Sequence, residues 1–108
     1  MQAVLMVETG YATPRVWKLN NAEAVRLGRY RTNTIVLNDP HVSRFHAEIY
    51  PANGGWFIRN CSETNGTRLN GEPISAPTPL HHDQEIRIGD CRLRFRIASQ
   101  GNLVADEL

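Results

Sequence analysis

Between Cys91 and Ile97 every second residue is apolar: Cys91, Leu93, Phe95 and Ile97 alternate with Arg92, Arg94 and Arg96. Successive side chains of a β-strand point to opposite faces, so this segment can bury one face and keep the other in water. A helix would scatter the same residues around its circumference. Short apolar or alternating runs recur at 3–8, 15–19, 24–27, 34–37, 46–50, 56–59, 67–69, 72–74 and 85–88, and each reads as a further strand. No window carries a sustained apolar stripe at i, i+3, i+4, i+7.

Turn residues punctuate these runs. Asn70-Gly71 separates two strands by two residues, the strongest short-range hairpin signal. Gly89-Asp90 does the same before Cys91, and the stretch from Pro51 to Gly55 supplies residues that accept positive φ between two more strands. Ala76-Pro77-Thr78-Pro79 reads as a loop, because proline cannot continue a ladder. About ten short strands with turns every eight to twelve residues predict an all-β sandwich of two sheets. Its core is expected to hold Val4, Met6, Trp17, Leu27, Ile35, Leu37, Ile49, Phe57, Ile58, Ile86, Ile88, Leu93, Phe95 and Ile97.

With 108 residues the chain is one domain, expected over 1–99, with a polar C-terminal tail or the start of a linker over 100–108. Its net charge of +1 leaves no overall footprint of a nucleic-acid or acidic-membrane binder, so any electrostatic work must be local. The apolar runs are far shorter than the roughly 20 residues that span a bilayer. The first residues lack a basic segment and reach Glu8 early, which argues against a signal peptide and for a cytoplasmic location. Cys61 and Cys91 are accordingly expected to be reduced thiols.

Three polar motifs lie between the strands: Gly28-Arg29, then the run from Asp39 to Ala47, then Thr64-Asn65-Gly66-Thr67. Gly28 follows an apolar strand and permits a bend or a close approach. Arg29 then offers five donors in a planar fork suited to phosphate oxygens. Ser43 can donate a hydroxyl and a backbone N–H toward one point, and Arg44 adds a second guanidinium. Thr64 offers another hydroxyl, while the Asn65 amide can bridge to the main chain of an extended peptide. His41 falls in a loop, where it can contact a ligand.

His46 lies inside a strand pattern with no partner at catalytic spacing, so it reads as a hydrogen-bonded structural histidine. An enzyme built on Asp39, His41 and His46 would lack a second carboxylate. His81-His82 has no second cluster at metal-ligand spacing, and no catalytic or metal site is assigned. Arg92, Arg94 and Arg96 could form a basic face for nucleic acid. They read instead as a solvated face paired across the sheet with acidic residues.

Together, Gly28-Arg29, Asn33-x-Ile35-x-Leu37-x-Asp39, Val42-Ser43-Arg44-x-His46-Ala47, Thr64-Asn65-Gly66-Thr67-x-Leu69-Asn70-Gly71 and Asp83-x-x-Ile86-x-Ile88-Gly89 resemble the forkhead-associated (FHA) domain family over about 4–97. The resemblance implies an eleven-stranded β-sandwich of two twisted, mainly antiparallel sheets. The loops at one end would read phosphothreonine in an extended peptide. It further implies that Arg29 and Ser43 hold the phosphate with Thr64 assisting, that Arg44 contacts phosphate or peptide, and that Asn65 bonds the peptide main chain. His41 would test a residue C-terminal to the phosphothreonine, and Gly28, His46 and Gly66 would support the site. The implied module is non-catalytic and free of cofactors, monomeric in isolation, and recruits a phosphorylated protein, or a phosphorylated segment of its own parent, in serine/threonine kinase signalling. It would contact neither nucleic acid nor membrane. The alternative on the same fold is a phosphate-independent protein contact through a sheet face.

Overall fold

Residues 2–98 are described by a computed structural model, and among them the chain forms twelve strands and no helix. In chain order these are β1 (Gln2–Thr9), β2 (Ala12–Thr13), β3 (Val16–Leu19), β4 (Val25–Gly28), β5 (Ile35–Leu37), β6 (Ala47–Ala52), β7 (Gly55–Asn60), β8 (Thr67–Leu69), β9 (Glu72–Pro73), β10 (Thr78–Pro79), β11 (Gln84–Ile88) and β12 (Cys91–Ala98). One sheet runs β3-β1-β12-β11-β8-β9 and the other β10-β7-β6-β4-β5-β2. All pairings among the described residues are antiparallel except β4 with β5. The all-β sandwich read from the alternation is therefore present, with two short strands beyond the expected ten. The tail expected over 100–108 lies outside the described residues.

The hairpins form where the turn residues predict them. Asn53-Gly54 (φ 52° and 78°) closes β6 onto β7, and Asn70-Gly71 (φ 49° and 84°) closes β8 onto β9. Positive φ at both central residues matches the right-handed twist of the flanking strands. The segment read as a loop at 76–79 differs: Thr78 and Pro79 pair with Ile58 and Phe57 at the margin of the second sheet. Proline is tolerated there because its missing N–H faces away from the ladder.

Two core expectations are corrected by register. In β1, Ala3, Leu5 and Val7 are buried, whereas Val4 and Met6 are only half-buried. The apolar run 3–7 offers a hydrophobic face at either parity, so alternation alone cannot choose. Pairing with β12 chooses: Ala3, Leu5 and Val7 lie opposite Ile97, Phe95 and Leu93, on the core-facing side, while Val4 and Met6 lie opposite Arg96 and Arg94. In β7 the expected neighbours Phe57 and Ile58 cannot both point inward. Trp56 and Ile58 are buried, Trp56 against Phe95 with ring centroids 6.2 Å apart, and Phe57 stacks on Tyr50 on the outer face. Trp17 and Ile97 pack at the margin of the core.

This register has a measurable consequence. Leu5→Ala removes a fully buried side chain and should cost about 2–5 kcal/mol of unfolding free energy. Met6→Ala, on the other face of the same strand, should cost about 1 kcal/mol or less. Urea unfolding of both variants checks the assignment; equal losses would contradict it.

Candidate functional site

The three polar motifs become three loops at one end of the sandwich: 29–34 between β4 and β5, 38–46 between β5 and β6, and 61–66 between β7 and β8. Backbone and side-chain bonds lock them together. Gly28 ends β4, and a Cβ there would overlap the Arg44 carbonyl, so only glycine lets loop 38–46 settle against this strand. The Arg29 and Tyr30 N–H groups then donate to the Ser43 and Arg44 carbonyls at 2.9 and 3.2 Å. From the buried Asn33, Nδ2 donates to the Tyr30 and Arg44 carbonyls, both at 2.7 Å, bracing the two loops from beneath.

His46 sits immediately before β6 rather than within a strand, and it is wholly buried. Its Nδ1 accepts from the Ser43 N–H at 3.0 Å, which places the ring proton on Nε2, and Nε2 donates to the Gly66 carbonyl at 3.0 Å. One neutral imidazole thus fixes loop 38–46 to loop 61–66. Burial lowers its pKa below the ordinary 6.5, against the opposing pulls of the Gly66 carbonyl and the Asp39 charge.

Arg29, Arg44, Thr64 and Asn65 are exposed and Ser43 is half-buried. The Arg29 Nε donates to the Val42 carbonyl at 3.0 Å, which orients the guanidinium while leaving its terminal nitrogens available. Ser43 Oγ lies 2.6 Å from Ser62 Oγ and 3.4 Å from Thr64 Oγ1. The Asn65 Nδ2 donates to the His41 carbonyl at 2.9 Å, and its side-chain oxygen has no protein partner among the described residues. Arg44 lies over the Tyr30 ring, 5.6 Å from the centroid, and Tyr30 meets Phe45 edge-on. The structure therefore brings Arg29, Ser43, Thr64 and Asn65 onto one linked loop surface, with Arg44 turned toward the exposed aromatic pair.

Besides the bracing Asn33, two further contributors escape the sequence reading. Ser62 Oγ accepts from the N–H groups of Thr64 (3.3 Å) and Asn65 (3.0 Å), a local serine turn that shapes the loop presenting both side chains. The signal was a serine two residues ahead of Thr64, a pattern common in loops. Asp39 belongs to the polar run 39–47 and to the family-like motif, but the sequence assigns it no role beyond a rejected enzyme carboxylate. It is buried, accepts from the N–H groups of His41 and Asp90 (both 2.8 Å), and holds loop 38–46 to the β11–β12 turn.

Burial raises the Asp39 pKa, but these N–H donors and the nearby His41 ring outweigh it, so the carboxyl stays below its ordinary value. Asp39, His41 and Asp90 offer ligand atoms within 4.8 Å of one another, although the Asp39 oxygens are already committed to the backbone. Cys61 is exposed and Cys91 buried, both as free thiols. Burial, with help from Asp39 and Asp90, pushes the Cys91 thiol up.

The FHA domain family model matches residues 25–89, which include all three loops and end at Gly89 in the β11–β12 turn. The chain belongs to the FHA domain family. Among curated proteins, the transcriptional regulatory protein EmbR of Mycobacterium tuberculosis is 35% identical over 78 residues, covering 72% of this chain and 20% of EmbR. The ABC transporter ATP-binding/permease protein Rv1747 of the same organism is 40% identical over 72 residues, covering 67% of this chain and 8% of the transporter. The chain thus spans a small part of the length of either of these relatives.

The solved structure of M. tuberculosis EmbR in complex with a low-affinity phosphopeptide superposes with a TM-score of 0.80 at 31% identity, covering 94% of this chain and 26% of that one. An FHA structure from a study of phosphothreonine-dependent FHA interactions also gives 0.80, at 25% identity over 92% of this chain and 99% of its own. FHA domains are non-catalytic binding modules, and the twelve strands here carry that family's sandwich.

The depressed His46 pKa fixes a sign. As pH falls, the unfolded chain takes up a proton at this residue before the folded one does. Its contribution to stability is therefore fully present above about pH 6.5 and is lost as the pH drops below it. Urea unfolding at pH 7.5 and 5.5 should show the wild type less stable at the lower pH. His46→Gln should be about 2–3 kcal/mol less stable at pH 7.5 and show a shallower pH dependence. Identical slopes would remove His46 as the origin.

Proposed function

We propose that this FHA domain binds phosphothreonine in an extended segment of a partner protein and leaves the phosphate intact. Arg29 and Ser43 hold the phosphate with help from Thr64, Arg44 reaches the phosphate or peptide, and Asn65 bonds the peptide main chain. His41 contacts a flanking residue, while Gly28, His46 and Gly66 support the loops. The observation that carries this reading is the interlocked loop surface, on which Ser43 and Thr64 present hydroxyls 3.4 Å apart beside an anchored Arg29 guanidinium.

A phosphothreonine brings about −1.5 to −2 charges and three acceptor oxygens. Each charge-assisted bond contributes about 1.5–3 kcal/mol before desolvation and ordering costs. Ser43 can give its proton to a phosphate oxygen while still accepting from Ser62, so binding need not dismantle the loop. With one amide hydrogen committed to His41, Asn65 keeps its side-chain oxygen for a peptide N–H. An unphosphorylated threonine leaves these donors underused, which makes phosphorylation the switch.

The partner's phosphothreonine implies a serine/threonine kinase upstream, and the module acts by recruitment, as a cytoplasmic monomer without cofactor, nucleic acid or membrane. The EmbR complex supports the reading, since a relative at 31% identity on the same sandwich holds a phosphopeptide.

A phosphothreonine peptide library, read by fluorescence anisotropy, tests it. A selected peptide should lose binding on dephosphorylation. Arg29→Ala should weaken it by at least about thirtyfold and Ser43→Ala by about tenfold, with melting curves showing both variants folded. Lys18→Ala, on the distant β3, should change nothing. If the dephosphorylated peptide binds as well as the phosphorylated one, the phosphate-independent reading replaces this one.

A further inference from the structure

On the outer face of the first sheet, the ladder sets Arg68 opposite Arg87 and Arg87 opposite Arg92, across β8, β11 and β12. Directly opposed side chains in such a ladder have Cβ atoms about 4.5–5.5 Å apart, and like charges there are destabilising. All three residues are exposed, and among the described residues none has a carboxylate within 4.0 Å. The same face treats its other arginines differently. Glu8 receives Arg94 through two contacts of 3.1 and 3.2 Å, and Arg96 reaches Asp83 at 4.0 Å. The arginines of this face that lack a carboxylate partner therefore sit together at the end of the sheet nearest the three loops.

That end forms a cleft of about 310 Å³, in which Arg68 and Arg87 face His41 and Asn65. Each guanidinium is steadied by the turn after its own strand. The Arg68 Nη1 donates to the Gly71 carbonyl at 3.0 Å, and the Arg87 Nε to the Gly89 carbonyl at 3.3 Å. Most of their donors remain free, so they are held in place without being used up. Asp90 also lines the cleft, but its carboxylate lies 3.4 Å from the His41 Nδ1, which draws it toward the loop side.

We propose that this cleft receives acidic side chains flanking the phosphothreonine, with Arg68 and Arg87 as specificity-determining residues. The proposal rests on the phosphopeptide reading above and adds the chemistry of the peptide beyond its phosphate. Continuity carries it: Asn65, assigned to the peptide main chain, is itself a wall of the cleft, so a peptide bound at the loops has the two guanidiniums beside its next residues. Charge complementarity selects carboxylates. A nucleic acid is a poorer occupant, because no Phe, Tyr or Trp lines the cleft for a base to stack on.

Four phosphothreonine peptides test it on the wild type and on the Arg68→Gln/Arg87→Gln double variant. One has neutral flanks, one carries glutamates on the N-terminal side, one carries them on the C-terminal side, and the fourth replaces the glutamates with a second phosphothreonine. One glutamate peptide should bind the wild type about five- to tenfold more tightly than the neutral one, and the gain should shrink with added salt. The double variant should lose that gain and still bind the neutral peptide within about twofold of wild type.

Equal binding of neutral and glutamate peptides by the wild type would overturn the proposal. So would equal losses for both peptides in the variant, or a gain from the second phosphate with none from glutamate. A single-stranded oligonucleotide that displaces the glutamate peptide from the wild type would reassign the row to nucleic acid. Failure of the neutral peptide to bind would instead strike the phosphopeptide reading itself.

Discussion

The site depends on one buried imidazole. His46 spends both ring nitrogens on backbone groups of two different loops, the Ser43 N–H and the Gly66 carbonyl, and it can do so only as the neutral Nε2–H tautomer. A second proton would remove the acceptor that Ser43 needs and place a charge where nothing solvates it. The geometry of Ser43 against Thr64 is therefore set by a residue that is wholly buried beneath them. Gly28 has a similar indirect role: its missing side chain lets the Arg44 carbonyl close onto β4, and the Arg29 N–H finds Ser43 as a result. Glycine and histidine make the frame, and the polar side chains hang from it.

Much of this was legible in the sequence because the signals were local. Alternation at 91–97 specifies a strand whose two faces are chemically opposite, and Asn-Gly pairs specify turns whose φ values few other residues accept. What was not legible depended on partners far away in the chain. The apolar run of β1 presents a burial face at both parities, and only the β12 register decides between them. Proline at 79 forbids a central strand yet permits a margin, and being a margin is a property of the whole sheet.

The candidate site divides in the same way. Residue types suited to phosphate could be listed from the sequence, and their loops assigned by family resemblance. The roles of Ser62, Asn33 and Asp39 could not, since each depends on where a backbone N–H or carbonyl falls in three dimensions. Asp39 is the clearest case. As a sequence residue it invites catalysis. In the fold its oxygens accept two backbone N–H groups, and that commitment keeps its carboxyl ionised and its position fixed.

The Asp39 linkage explains how a loop from one sheet becomes part of a surface made by both. Loop 38–46 belongs to the second sheet, yet Asp39 binds the Asp90 N–H in the β11–β12 turn of the first. Gly89 in that turn has φ of 58°, and a Cβ on it would stand 2.8 Å from Val42 Cγ2, so the turn packs directly beneath the loop. A shift in the turn would therefore move Val42, whose carbonyl orients Arg29, and with it the neighbouring Ser43. The same turn's Gly89 carbonyl steadies Arg87. The groups proposed to face the phosphate and its flank thus hang from one buttress, and a peptide spanning both would meet a single preorganised surface, which lowers the ordering cost of binding.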